Sequence, residues 1–318
     1  MVAFICLFLG GEWIAWIDGM NKKWMYLKSV EGIKGFLSSP YYDELLLRLR
    51  ADSNLDIELL VEELFNDNPE VLQLTRLQYE LLGSKLKFQA LDIQFACYGE
   101  ENYPHHFYQM PDPPLALSYL GRPLWMNHRL LSVVGSREPG QISLRWMENH
   151  LSSFLQKQKV CIVSGGARGI DQYAHMLSIR EGAPTIAILP SGLNQIYPTQ
   201  FLSMKEKILG SGGAIVSEYL PDQKMMKHLF HHRNRLISGI SPMVLIVEAW
   251  NKSGTLMTGH HSLIHGRQVG VVPGHPEQIC FQGSLSLLSL GAVMVRNSED
   301  LTQHLTESVQ YLADNHQR

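Results

Sequence analysis

The chain has 318 residues, enough for two domains, and 45% of them are apolar, as in an ordinary globular protein. Its net charge is −3, so any nucleic-acid binding has to come from a local basic patch and not from overall charge. The four cysteines, Cys6, Cys97, Cys161 and Cys280, are scattered without a C-x-x-C pair, which argues against a disulfide frame or a zinc ribbon and fits a reducing, cytoplasmic setting.

Met1–Leu9 is apolar but lacks a basic n-region and a small-residue cleavage site, so it reads as a buried first helix and not as a signal peptide. No run approaches ~18 uninterrupted apolar residues, and no membrane span is expected. Residues 1–90 read as a small helical, SAM-like domain: Leu45, Leu46, Leu49, Leu59, Leu60 and Leu64, then Leu72, Leu74, Leu77, Leu81 and Leu82, recur at helical spacing. Within it, Ile17–Lys23 can be read as a helix-hairpin-helix turn that holds a backbone phosphate, or as a plain helix connection. Residues 91–129 form a linker and strap, with turn-rich Tyr98–Pro104 and Pro111–Pro114 followed by apolar Leu115–Leu120.

Residues 130–318 alternate strands with helices. Strands are expected at Leu131–Val134, Val160–Val163, Thr185–Leu189, Ala214–Ser217, Val244–Glu248, Val269–Val272 and Val293–Val295. Helices are expected at Ile142–Gln156, Asp171–Arg180, Phe201–Leu209 and Thr255–His265, and only one helix-sized segment follows Val295. Continuous apolar strands alternating with helices predict a doubly wound α/β fold with a mostly parallel sheet covered on both faces. Ligands of such sheets sit beyond the carboxyl ends of the strands.

Those ends are rich in glycine and polar residues. Val160–Val163 runs into Ser164, Gly165 and Gly166, with Arg168 beside them and a helix pattern after, which makes a ready anion site. The spacing is not G-x-G-x-x-G, no acid follows the next strand to hold a ribose, and no P-loop occurs. Gly135-Ser136-Arg137, Ser191-Gly192-Leu193 with Tyr197, Glu248-Ala249-Trp250 with Ser253-Gly254-Thr255, and Pro273-Gly274-His275 end other strands. Together they predict a rim of backbone N–H groups, hydroxyls and guanidiniums, with Tyr197 or Phe230 placed to stack on a base. Arg233-Asn234-Arg235 stands before a strand of the same sheet; if the segment is extended both arginines point to one side, and if helical they diverge by about 200°.

Gly135-Ser136-Arg137, the run Ser164-Gly165-Gly166-Ala167-Arg168-Gly169-Ile170-Asp171, Ser191-Gly192-Leu193 with Tyr197-Pro198, Arg233-Asn234-Arg235-Leu236-Ile237-Ser238-Gly239 and Val272-Pro273-Gly274 resemble, in order, the DNA-processing protein A family (DprA, also called Smf). Tyr103-Pro104 and Asp112-Pro113-Pro114 are similar to its lead-in strap, so the resemblance covers about residues 95–297. It implies an extended Rossmann-like fold that binds single-stranded DNA, forms a homodimer and delivers the strand to the RecA recombinase in natural transformation, with no cofactor and no reaction of its own. The DNA-binding residues it implies are Gly135, Ser136, Arg137, Ser164, Gly165, Gly166, Arg168, Gly192, Tyr197, Arg233, Asn234 and Arg235. The chain departs from the family at Thr199 and Gln200, where a basic residue often follows the Tyr-Pro step, at Gly283-Ser284-Leu285, and at His265, where a glutamate is frequent.

An enzyme has less support. There is no G-x-S-x-G elbow and no H-E-x-x-H, and Asp171, Glu218 and Glu248 are isolated acids. Asp171 reads as a helix-start residue satisfying local N–H groups, and His175 as a core residue. His228, His231 and His232, or His260, His261 and His265, lack a carboxylate or cysteine at ligand spacing, so no metal is expected. The alternative is a Rossmann-like nucleotide- or phosphoribose-processing enzyme, but Pro273-Gly274-His275-Pro276 does not match the Pro-Gly-Gly-x-Gly-Thr turn of phosphoribohydrolases.

Overall fold

The computed structural model describes residues 12–52, 54–85 and 92–315. They form two compact units: residues up to Tyr103 with Pro114–Ser118, and Pro104–Pro113 with Tyr119 onward. The expectation for Met1–Leu9 lies outside the described residues.

The first unit holds four helices, α1 (Glu12–Glu31), α2 (Pro40–Ala51), α3 (Ile57–Leu64) and α4 (Pro69–Lys85), and a short strand, β1 (Gln94–Cys97). Pro40 opens α2 at a position where its missing N–H costs nothing. Asp56 caps α3, its carboxylate accepting from the N–H of Glu58 at 2.9 Å and of Leu59 at 3.4 Å. Trp24, Leu27, Leu45, Leu49, Leu60 and Phe65 are buried, so part of the leucine spacing marks inner faces, whereas Leu59 of α3 and Leu74 and Leu77 of α4 are exposed. Helix α1 runs unbroken through Ile17–Lys23; that segment is neither a hairpin turn nor a connection, and Gly19 is tolerated in mid-helix.

Strand β2 (Ala116–Gly121) leads from the first unit into the second. The second unit has seven further strands: β3 (Arg129–Val134), β4 (Val160–Ser164), β5 (Thr185–Ile188), β6 (Ala214–Ser217), β7 (Met243–Ile246), β8 (Gln268–Val271) and β9 (Val293–Met294). They lie in the order β6-β5-β4-β3-β7-β8-β9, and every neighbouring pair is parallel. The connecting helices are α5 (Gln141–Trp146), which passes through a π turn into α6 (Ser152–Lys157), then α7 (Ile170–Arg180), α8 (Leu202–Gly210), α9 (Lys227–Gly239), α10 (Gly254–Ile264), α11 (Gln282–Ser289) and α12 (Ser298–Asn315).

Alternation along the strands sorts the helices into two layers. Leu131 and Val133 of β3 join Leu151, Phe154, Ile170, Leu177, Leu301 and Leu305 in one core, which places α6, α7 and α12 on that face. Ser132, between them, donates its hydroxyl to the carbonyl of Ile237 at 2.6 Å, so α9 covers the other face. This is the doubly wound, parallel architecture read from the sequence, with the small helical unit ahead of it. From β3 the chain moves outward to β4, β5 and β6, then returns to β7 on the other side of β3. The topological switch point therefore lies between the carboxyl ends of β3 and β7, where such sheets open a crevice.

Candidate functional site

A cavity of about 510 Å³ occupies that crevice. Val134, Gly135, Ser136 and Arg137 line it from the end of β3, Trp250, Ser253, Gly254 and Thr255 from beyond β7, and Phe230, Arg233 and Asn234 from α9. Ser253 caps α10, its hydroxyl accepting from the Leu256 N–H at 3.2 Å, and Thr255 ties the same turn to β3 by donating to the carbonyl of Gly135 at 2.9 Å. The first N–H groups of α10 have no partner within the helix, and its positive dipole end opens onto the cavity. Arg137 is exposed, its guanidinium 5.3 Å from the Phe230 ring centre, and Lys227 adds a second exposed cation to the wall. A helix start, a guanidinium and an ammonium around an aromatic wall form a site for an anion carrying a flat apolar group.

The structure gathers Gly135, Ser136, Arg137, Arg233 and Asn234 around this cavity. Tyr197 stands next to them, exposed, its ring edge-on to Phe230 at 5.9 Å. Arg168 is exposed on the rim and ion-pairs with Glu138, while its Nε donates to the carbonyl of Arg137 at 3.4 Å. The others lie deeper. Ser164 is buried and donates to the carbonyl of Val133 at 2.7 Å. Gly192 is buried, with its N–H donated to the carbonyl of Gln223 at 2.9 Å.

The glycine turn after β4 is filled by the protein itself. A Cβ on Gly165 would lie 2.6 Å from Nη1 of Arg233 and 2.8 Å from Oδ2 of Asp171; on Gly166, which has φ +69°, it would meet the Phe201 ring at 2.8 Å. Asp171 sits in the first turn of α7 and accepts from the N–H of Gly165 at 3.2 Å, and the N–H groups of Ala167 and Gly135 also hold its carboxylate. The anion bound by this turn is thus the chain's own Asp171. Burial pushes its carboxyl up to about 6, against the pull of Arg233 and of these N–H groups. His175 lies beneath, fully buried beside Thr185 at 2.7 Å, and burial and then Arg233 push it down to about 3.

Arg233-Asn234-Arg235 is helical, and the two arginines diverge. Arg233 is 2% exposed; its Nη1 donates to the carbonyls of Gly165, at 2.7 Å, and of Ile188, and burial lowers it to about 10. It thereby links the ends of β4 and β5 to the floor of the cavity. Arg235 is 6% exposed and points away, pairing with buried Glu218 and donating to the carbonyl of Asp112 at 2.7 Å. It fastens the strap. Arg267 does the same from the other end, donating to Gln109 and, at 2.5 Å, to the carbonyl of His106.

Sequence reasoning did not place Lys227 or Met225 at a site and put Trp250 on the rim without a role, and all three line the cavity. The Ser-Gly-Thr step after Trp250 was the available signal, because a serine directly before a helix start marks an N-cap. Among the described residues no group of three or more histidine, cysteine or acidic side chains is arranged to hold a metal ion, and no helix is long and apolar enough to cross a membrane.

The model of the family described as DNA recombination-mediator protein A matches residues 94–306. Protein Smf of Escherichia coli is 36% identical over 214 residues, which are 67% of this chain and 57% of that protein, so the chain spans little more than half the length of this relative. The X-ray structure of DNA processing protein A from Streptococcus pneumoniae superposes with a TM-score of 0.73 at 26% identity, covering 87% of this chain and 95% of that one. DNA processing protein A from Helicobacter pylori, whose structure is described by its single-stranded DNA binding mode, superposes with a TM-score of 0.59 at 29% identity over 67% of this chain and 96% of that one.

Proposed function

Because the chain belongs to the DNA recombination-mediator protein A family, we propose that it binds single-stranded DNA in the crevice between β3 and β7 and does no covalent chemistry on it. The observation that carries this reading is the meeting of Arg137 with the first turn of α10 in one cavity at the switch point. Together they supply a charge and free N–H donors for a phosphate, and the aromatic wall beside them accepts a base. The single-stranded DNA binding of the Helicobacter pylori relative supports the same ligand. A recess of this size on a chain of net charge −3 suits a strand that bends into it better than a rigid duplex.

In this reading Arg137, Ser136, Gly135, Lys227 and Asn234 touch the strand, Arg168 and Tyr197 flank it, and Ser164, Gly165, Gly166, Gly192 and Arg233 hold the floor. Arg235 acts through the strap and not on the DNA. The protein works in the cytoplasm as a homodimer that passes the bound strand to the RecA recombinase during natural transformation. Two assays test this. Oligo-dT should shift the protein in a gel, with or without EDTA, while incubation with AMP releases no base. Base release without a shift would instead make the protein a nucleotide-processing enzyme. Acceleration of RecA filament growth on oligo-dT covered by single-strand-binding protein is the expected sign of loading, and no acceleration would remove RecA from the account.

A further inference from the structure

The cavity has a second wall that phosphate binding does not explain. Trp250, just past the end of β7, lines it and is 45% exposed. Its backbone is fixed: the Ala249 N–H donates to the hydroxyl of Ser284 at 3.1 Å, and the Ala249 carbonyl accepts from the N–H groups of Gly283 at 2.9 Å and Ser284 at 3.2 Å. A Cβ on Gly283 would lie 2.6 Å from the carbonyl oxygen of Trp250, so only glycine lets the start of α11 come this close. The indole therefore stands on a rigid base while much of the residue stays open to solvent.

The other aromatic rings at the site are already engaged. Phe230 has the guanidinium of Arg137 at 5.3 Å and that of Arg233 at 5.8 Å from its centre. Tyr197 meets the edge of the same ring, its plane 80° from that of Phe230. Trp250 and Arg137 line one cavity of about 510 Å³, within the range of pockets that hold a ligand of nucleotide size. Val134 and Met225 supply apolar contact in the same recess, and Asn234 a side-chain amide.

We propose that Trp250 is a stacking platform for one nucleobase, placed so that the base lies against the indole while its phosphate meets Arg137; this subsite rests on the single-stranded DNA reading above. Base–aromatic stacking is sequence-tolerant, because every base offers a π-face, so the platform takes any base of a flexible strand. A base inside a duplex has both faces covered and cannot use it, which gives the crevice a reason to prefer single strands.

The test compares oligo-dT with an oligomer of equal length whose sugars carry no bases. Trp250→Ala, Trp250→Leu and Trp250→Phe are measured by fluorescence anisotropy, with thermal melting followed by circular dichroism to verify folding. The parent should bind oligo-dT more tightly than the baseless strand. Both Ala and Leu should weaken oligo-dT binding by about 10-fold, leave the baseless strand within about 2-fold and keep the salt slope, while Phe should retain most of the affinity. Leu keeps apolar bulk without a π-face, so it separates stacking from packing. A parent that binds oligo-dT while the Leu variant binds it equally well, or Ala and Leu variants that lose both strands alike, would overturn the platform alone. A parent that does not bind oligo-dT at all would overturn the platform together with the DNA reading.

Discussion

At the scale of single residues, the arginines of the site divide into those that face solvent and those that hold the fold. Arg137 and Lys227 are exposed on the cavity wall, so Arg137→Ala should leave urea-unfolding stability within about 0.5 kcal/mol of the parent. Arg233 is buried with its guanidinium donating to the carbonyls of Gly165 and Ile188 and attracted by nearby Asp171, so Arg233→Ala leaves two buried carbonyls without this donor and should cost about 2–4 kcal/mol in the same measurement. Equal stability of the two variants would contradict this division. The sequence marks both arginines as notable but gives no sign that one is interior, because burial of Arg233 depends on Gly165, 68 residues away. The pair Asp171 and His175 also sets a pH dependence. Asp171 is raised in the folded state to about 6, so its contribution is fully present below its ordinary pKa of 3.8 and is lost as pH rises through about 6. His175 is lowered to about 3 from 6.5, so its contribution is present above 6.5 and is lost as pH falls toward 3. Between pH 6 and 4 the two oppose each other. Asp171→Asn removes the compensating gain, and stability should fall more steeply over that window, by up to about 1.4 kcal/mol per pH unit. Parallel pH profiles of parent and variant in urea unfolding would show that Asp171 is not titrating there.

At the scale of elements, the strap and α9 show where local pattern stops being informative. Most strands and helices of the second unit fall within one or two residues of their sequence-derived bounds; β3, β4, β6 and α7 follow from β-branched runs and apolar periodicity. Helix α9 was open between two geometries because Phe230–Arg235 is polar and aromatic, with no apolar stripe until Leu236. Its register is fixed by tertiary contacts: Arg235 to Glu218 and Asp112, and Arg233 to the glycine turn. The strap is likewise held from far along the chain, by Arg235 and by Arg267, whose Nη2 also donates to the carbonyl of Gly239 at 3.0 Å. Arg267→Ala should therefore speed amide hydrogen exchange in residues 104–113 and leave β3 and β4 as protected as in the parent. Uniformly faster exchange across the second unit would mean that Arg267 supports the whole sheet and not the strap. Gly165→Ala acts on another joint: its Cβ has no room between Arg233 and Asp171, and it should destabilise by about 1–3 kcal/mol in urea unfolding. An unchanged midpoint would show that the turn can yield.

At the scale of the molecule, the parallel sheet was legible because the inner strands are mostly apolar and buried along their length, and the switch point follows once the strand order is known. The rim of strand ends was legible too, but not its depth. The glycines after β4 read as a phosphate cradle, whereas the cradle holds Asp171, and the open donors are those at the start of α10. Glycine spacing records close approach without saying whether a ligand or the protein comes near. If this crevice is the proposed single-stranded DNA site, the strand meets a small set of exposed cations around one cavity, and the electrostatic share of binding should be modest and traceable to single residues. The measurement that tests this most directly is a salt titration of oligo-dT affinity for the parent and Arg137→Ala, with a duplex of equal length beside it. The expected result is tighter binding of the single strand at every salt concentration, and a slope of log affinity against log salt that drops by about 0.7 when Arg137 is removed. Equal affinity for duplex and single strand, with an unchanged slope in the Arg137→Ala protein, would place the DNA somewhere other than this crevice.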